Sequence, residues 1–277
     1  ERYLQLLFED GKWDQAAATA RRLAALLGPS ADVNLDLAIA TFHAAGAGAA
    51  LPLMDRVPEA ERSGDYYLAR AHMLDALGRP QEAIAALNQA LGAAPKRPDL
   101  YQQAAAFLTK NGELPEALRV LDQAVRSLPQ NREILLRKAT TLELANETKE
   151  AVRVLNQIQN RWPEWHAGWV AQGVILATHK RLEEARQALE TAVALGARSP
   201  EAYYYLADCT LRSAPKRTDA AEAAIRQALR LAPSDPWIQS LARRIGEGRR
   251  TQQPPSSAED EPPYLTRLFL EKPPRDW

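Results

Sequence analysis

Cysteine is almost absent from this 277-residue chain: Cys209 stands alone, so no internal disulfide can staple the fold, and the redox compartment stays open. Net charge is absent too. The 35 basic residues balance the 35 acidic ones, which removes any general attraction to nucleic acid or to an anionic membrane. No apolar run approaches the roughly eighteen residues of a membrane span. A glycine-rich phosphate loop, a G-x-S-x-G elbow and a C-x-x-C pair are all missing, and His43, His72, His166 and His179 show no metal-type spacing such as H-x3-H. Cys209, beside Asp208 and far in sequence from any histidine, reads as a small core residue rather than a nucleophile. Carboxylate pairs such as Glu183-Glu184 stand at helix starts, where they complement the macrodipole. Lys216, Arg217, Arg226, Arg230, Arg243, Arg244, Arg249 and Arg250 gather toward the C-terminus without interleaved aromatics, and so read as a solvated face. No catalytic constellation, metal or cofactor is expected.

What the chain has instead is a period. Alanine recurs at Ala83, Ala117, Ala151 and Ala185, each 34 residues beyond the last; leucine keeps step at Leu87, Leu121, Leu155 and Leu189 and at Leu74, Leu108, Leu142 and Leu176, and proline at Pro95, Pro129 and Pro163. Within one period, Leu100, Ala104, Ala105 and Leu108 form a helical stripe, Lys110 to Glu113 break it, and Leu114, Ala117, Leu118, Leu121, Ala124 and Val125 form a second. Two helices joined by a tight turn are predicted. Gly78 and Gly112 stand where the first helix must end in a left-handed residue; Asn146 tolerates that conformation, whereas Lys180 suits it less and should give the most strained or a differently shaped turn. Ala71, Ala105, Ala139, Gly173 and Ala207 share one position, where small side chains let helices approach, beside the larger Tyr67, Tyr101, Leu135, Trp169 and Tyr203. One hairpin of this kind cannot bury its own apolar faces, so neighbours must stack.

The unit from His166 reads Trp169, Val170-Ala171-Gln172, Gly173, Leu176, Ala185, Leu189; that from Pro98 reads Tyr101, Ala105, Leu108, Gly112, Ala117, Leu121, Ala124, Pro129. These resemble the tetratricopeptide repeat, W-x2-L-G-x2-Y, then A-x3-F, then P. Four consecutive units fit closely, and the resemblance extends less faithfully over residues 1–247. It implies an all-α fold, a right-handed superhelical solenoid of about seven stacked helix-turn-helix units with an extended C-terminal tail. It also implies a protein-protein interaction scaffold or adaptor rather than an enzyme, and the Ala- and Arg-rich wording resembles bacterial examples. The alternative is a non-catalytic targeting module of a larger enzyme or of an envelope-assembly protein. In the family, the first helices of successive repeats line a concave groove that holds a partner peptide or helix. Transferring those positions names Asn34, Thr41, Asp65, His72, Asp75, Gln102, Thr109, Lys110, Glu133, Arg137, Thr140, Glu143, Tyr204 and Asp208. The set is mixed and leans acidic, unlike the Lys, Asn and Arg with which chaperone-binding members grip a terminal carboxylate. A partner with apolar anchors and some positive charge suits it.

The ends follow from composition. The chain opens at Glu1 inside a repeat, so upstream sequence is expected to have been processed off or left out, and the compartment, cytoplasmic or periplasmic, stays undecided. Residues 30–63 form a degenerate unit, because Gly46, Gly48 and Pro52 penalise its second helix; a shortened helix is expected, with a hinge as the alternative. Two residues inserted around 213–217 predict a longer turn. Pro236 to Glu247 reads as a capping helix with a polar outer side. Residues 248–263 form a linker, and 264–277 a sharply apolar tail with Tyr264, Leu265, Leu268 and Phe269 as anchors. The tail is expected to dock in the groove, against the last helices, or on a second copy, the last giving a homodimer.

Overall fold

Apolar stripes of helical period, punctuated by turn residues, fold into fifteen α-helices with no strand among the described residues. The computed structural model describes residues 2–27, 30–213 and 217–251; the tail anchors, the linker from residue 252 and the inserted residues 214–216 lie outside them. The helices are α1 (Arg2–Glu9), α2 (Trp13–Leu27), α3 (Ala31–Ala45), α4 (Ala47–Met54), α5 (Gly64–Ala76), α6 (Pro80–Ala93), α7 (Pro98–Lys110), α8 (Leu114–Ser127), α9 (Arg132–Leu144), α10 (Thr148–Arg161), α11 (His166–Thr178), α12 (Leu182–Ala194), α13 (Pro200–Ser213), α14 (Thr218–Leu231) and α15 (Pro236–Thr251).

The two helices of a repeat begin differently. Four first helices take a side-chain cap from the preceding loop: Ser30 accepts from Val33 N at 3.2 Å, Ser63 from Tyr66 N at 3.2 Å, Asn131 from Ile134 N at 2.9 Å and Ser199 from Ala202 N at 3.1 Å, whereas α11 begins after Trp165 without one. Second helices instead carry Glu82, Glu116, Glu150 and Glu184 in the first turn, at one repeat position, where each meets an arginine: Arg79, Arg119, Arg153 and Arg181. These pairs are largely exposed, so solvent screens them and they add little to stability.

The turns keep one geometry. Gly78, Gly112, Asn146 and Lys180 all adopt positive φ, at 69°, 79°, 61° and 59°. Lys180 therefore does not give a differently shaped turn. Its N–H donates to Ala177 O and that of Arg181 to Leu176 O, both at 2.9 Å, matching the 2.9 and 2.8 Å of the Asn146 turn. The hydrogen bonds that close the helix end outweigh the Cβ clash of a left-handed lysine, about 1–2 kcal/mol.

The chain divides into two compact units, residues 1–108 with 126–128, and 109–125 with 129–277. In the first, α2 packs on α1 and α3, α3 on α4, α4 on α5, α5 on α6, and α3 also touches α5. Its α4 has eight residues with Pro52 inside, following α3 after the single residue Gly46 at φ 86°. The shortened helix is thus present. In the second unit α9 to α15 pack in series, and first helices also meet one another, α9 with α11, α11 with α13, and α13 with α15. The small-residue columns sit at zero exposure: Ala139, Ala151, Ala185 and Ala207 are fully buried. Gly173 shows how close the helices come, since a Cβ there would lie 2.5 Å from Leu189 Cγ and 3.2 Å from Ala185 O. The last described helix, α15, buries Ile238, Leu241 and Ile245 and runs four residues past Glu247, through Gly248, since a helical glycine costs only about 1 kcal/mol.

Lys180→Gly is expected to raise stability by about 1 kcal/mol, strain relief less the added chain entropy. Gly173→Ala should lower it by about 1–3 kcal/mol through overpacking. Urea unfolding of the full chain checks both.

Candidate partner-binding face

First helices turn one side toward their neighbours and another toward solvent, and the fourteen positions named from the sequence divide between the two. Asn34, Thr41, Thr109, Arg137, Thr140, Tyr204 and Asp208 are buried; Asp75, Gln102, Glu133 and Glu143 are half-buried; Asp65, His72 and Lys110 are exposed. In the second unit the cause is that α11 lies against both α9 and α13, so mid-helix positions meet the next first helix rather than open space. In the first unit Asp65 is engaged by Arg97, which reaches it at 3.0 and 3.1 Å and Asp99 at 2.9 Å. The Arg97 hydrogen bond holds the Asp99 carboxyl below the usual range. His72 sets its ring edge-on to Phe107, with centroids 5.6 Å apart.

Polar residues near the C-terminal ends of first helices recur in both units. Thr41 in the first, and Thr109 and Glu143 in the second, share one repeat position in the sequence, and each carries a buried oxygen without a partner among the described residues: both threonine hydroxyls and Glu143 Oε2. The Glu143 side chain is 8% exposed, and its other oxygen, Oε1, lies 2.7 Å from His179 Nε2. That nitrogen is also 3.0 Å from Thr148 Oγ1 at the start of α10. Nearby on α9, Thr140 and Thr141 hydroxyls donate to Arg137 O at 2.9 Å, and burial lowers the pKa of the Arg137 guanidinium. On α13, Arg212 donates to Asp208 at 2.9 Å, and burial, reinforced by Asp208, pushes the Tyr204 phenol up. Burial pushes the Cys209 thiol up to about 12. No helix among the described residues is long and apolar enough to cross a membrane, and no group of three His, Cys, Asp or Glu among them is placed to hold a metal.

Two family models, both described as tetratricopeptide repeat, match the chain, one over residues 76–130 and 109–169, the other over 145–200 and 170–236. This chain is a tetratricopeptide repeat protein. A search of curated proteins returns no match. Solved structures of tetratricopeptide repeat proteins share the fold. The C-terminal part of one from Cytophaga hutchinsonii aligns with TM-score 0.64 and 16% identity over 87% of this chain and 98% of its own. One from Parabacteroides merdae gives 0.56 and 12%, over 87% and 95%. Yeast Tom70 gives 0.61 and 14%, over 87% of this chain and 52% of Tom70.

Repeats of this family are used to hold other proteins. The first helices of this tetratricopeptide repeat protein carry buried acceptors with lone pairs to fill, at Thr41, Thr109 and Glu143. His179 and Thr148 are the residues that sequence reasoning passed over. They stand on the next hairpin turn and the next helix, and only the spacing of Glu143 and His179, one repeat plus two residues, could have pointed to the contact.

Alkaline stability tests the buried groups. The folded chain holds the Cys209 proton to about 12 while a solvent-exposed thiol loses its own near 9.0, so the unfolded state deprotonates first. The contribution of this group is full below pH 9 and is lost as pH rises toward 12, with a slope of at most about 1.4 kcal/mol per pH unit. Urea midpoints measured across that range should fall, and Cys209→Ala should flatten the fall.

Proposed function

We propose that this tetratricopeptide repeat protein is a non-catalytic scaffold that holds a partner segment against its first helices, with a positively charged group of the partner received at Glu143. The observation that carries the reading is the unpartnered Glu143 Oε2, in a side chain 8% exposed and fixed by His179. Leaving a buried charged acceptor unpaired costs free energy, and a lysine or arginine of a partner recovers it as a charge-assisted hydrogen bond worth about 1.5–3 kcal/mol. The partner, a protein or peptide, pairs that cation with apolar anchors. The chain's own tail has the same character, Tyr264, Leu265, Leu268 and Phe269 with Arg267, Lys272 and Arg275, and acts as an internal competitor for the face.

Quantitative affinity purification from the source cell compares the wild-type chain with Glu143→Gln and with a chain lacking residues 249–277. Glu143→Gln should reduce recovery of the bound protein about tenfold, the equivalent of 1.4 kcal/mol, and tail removal should raise it. Equal recovery with Glu143→Gln overturns the site, and equal recovery without the tail overturns the competition.

A further inference from the structure

At the other end of the first helices, two successive loops of the second unit bring aromatic rings and guanidinium groups together. The loop between α10 and α11 carries Trp162, Trp165 and, one turn into the helix, Trp169, all half-buried against the core. Arg132, at the start of α9, stacks over Trp165 with Cζ 4.7 Å from the ring centroid, and Arg161 stacks over Trp162 at 5.2 Å. Trp169 Nε1 donates to Pro163 O at 2.8 Å, which fixes the loop. Arg161 also donates to Pro129 O at 2.9 Å, tying this loop to the one before. Among the described residues Arg132 hydrogen-bonds only through Nε, at 3.2 Å from Glu133, which leaves the protons of its two terminal nitrogens for another acceptor. The arrangement is a rigid aromatic shelf with cationic faces, the surface on which proline rings and carboxylates both find partners.

We propose that this shelf is the docking site of residues 259–263 of the same chain, Glu-Asp-Glu-Pro-Pro. Three features select that occupant. The segment alone in the C-terminal region joins three consecutive carboxylates to a Pro-Pro pair. Prolines preset the extended polyproline conformation, so laying them on tryptophan costs little chain entropy. Glu259, Asp260 and Glu261 complement Arg132 and Arg161; Glu133 and the exposed Glu164 oppose them, so the ring contacts of Pro262 and Pro263 are needed to complete the affinity.

The reach is sufficient. The sixteen-residue α15 is about 24 Å long and leads away from this edge, and α11 and α15 flank α13 at about 8–10 Å per helix pair. The diagonal back is therefore roughly 30 Å, and residues 252–262 as polyproline span about 34 Å at 3.1 Å per residue. This docking is separate from the Glu143 reading, since Arg132 opens α9 and Glu143 lies near its far end.

The test uses the full chain carrying Ser257→Cys with a nitroxide. Cys209 is buried with its thiol raised, so the label goes to position 257. Indole N–H signals are assigned with Trp162→Phe, Trp165→Phe and Trp169→Phe. The nitroxide should broaden Trp162, Trp165 and Trp169 severalfold relative to its reduced form, independently of protein concentration. The triple variant E259Q/D260N/E261Q, altered outside the helical array, should abolish the effect, and Glu143→Gln should leave it intact. Unbroadened Trp162 and Trp165 signals overturn the proposal. So does broadening that grows with concentration, which marks a second copy, or broadening that survives the triple variant.

Discussion

Helices of the second unit approach one another across columns of alanine, and the rest of the structure depends on that closeness. Ala139, Ala151, Ala185 and Ala207 have no exposure at all, and at Gly173 even one extra carbon would collide with Leu189 and with the backbone of Ala185. Such contact forces each hairpin to present a flat apolar flank, and a flank of this kind is stable only when another hairpin covers it. Stacking is thus a consequence of small side chains at fixed repeat positions. The larger residues, Leu135 and Trp169 among them, fill what the alanines leave open.

The same closeness determines what the first helices can offer a partner. Because α11 lies against α9 and α13, the middles of these helices are consumed in packing, and Thr140, Tyr204 and Asp208 are buried. Polar chemistry is displaced to the helix ends. At one end Glu143 meets His179 across a hairpin turn; at the other, Arg132 and Arg161 lie on tryptophan rings. The second unit thereby keeps much of its polar and cationic chemistry at the two ends of its first helices.

Much of this was legible in the sequence because a repeat multiplies every signal. The turn glycines, Asn146 in their place, the alanine columns and the shortened helix after Gly46 follow from local rules applied several times over. Lys180 shows the limit of a single-residue rule: its side chain disfavours the left-handed conformation, but the helix-closing hydrogen bonds and the register imposed by neighbouring hairpins prevail. The candidate face was less legible. Repeat position identifies the side of a helix and not its depth, and depth is set by how near the next first helix comes, which depends on the volumes of residues about a period away. Contacts such as Glu143 with His179 and Arg132 with Trp165 join residues about one repeat apart, so no local window contains both partners.

The central claim is that a hairpin of this protein has no stability apart from its neighbours. Circular dichroism of the isolated α9–α10 hairpin, residues 132–161, beside that of the full chain tests it most directly. The account predicts a largely unfolded peptide without a cooperative melting transition, although the same residues are helical in the intact protein. A peptide that is helical and melts cooperatively on its own would contradict it.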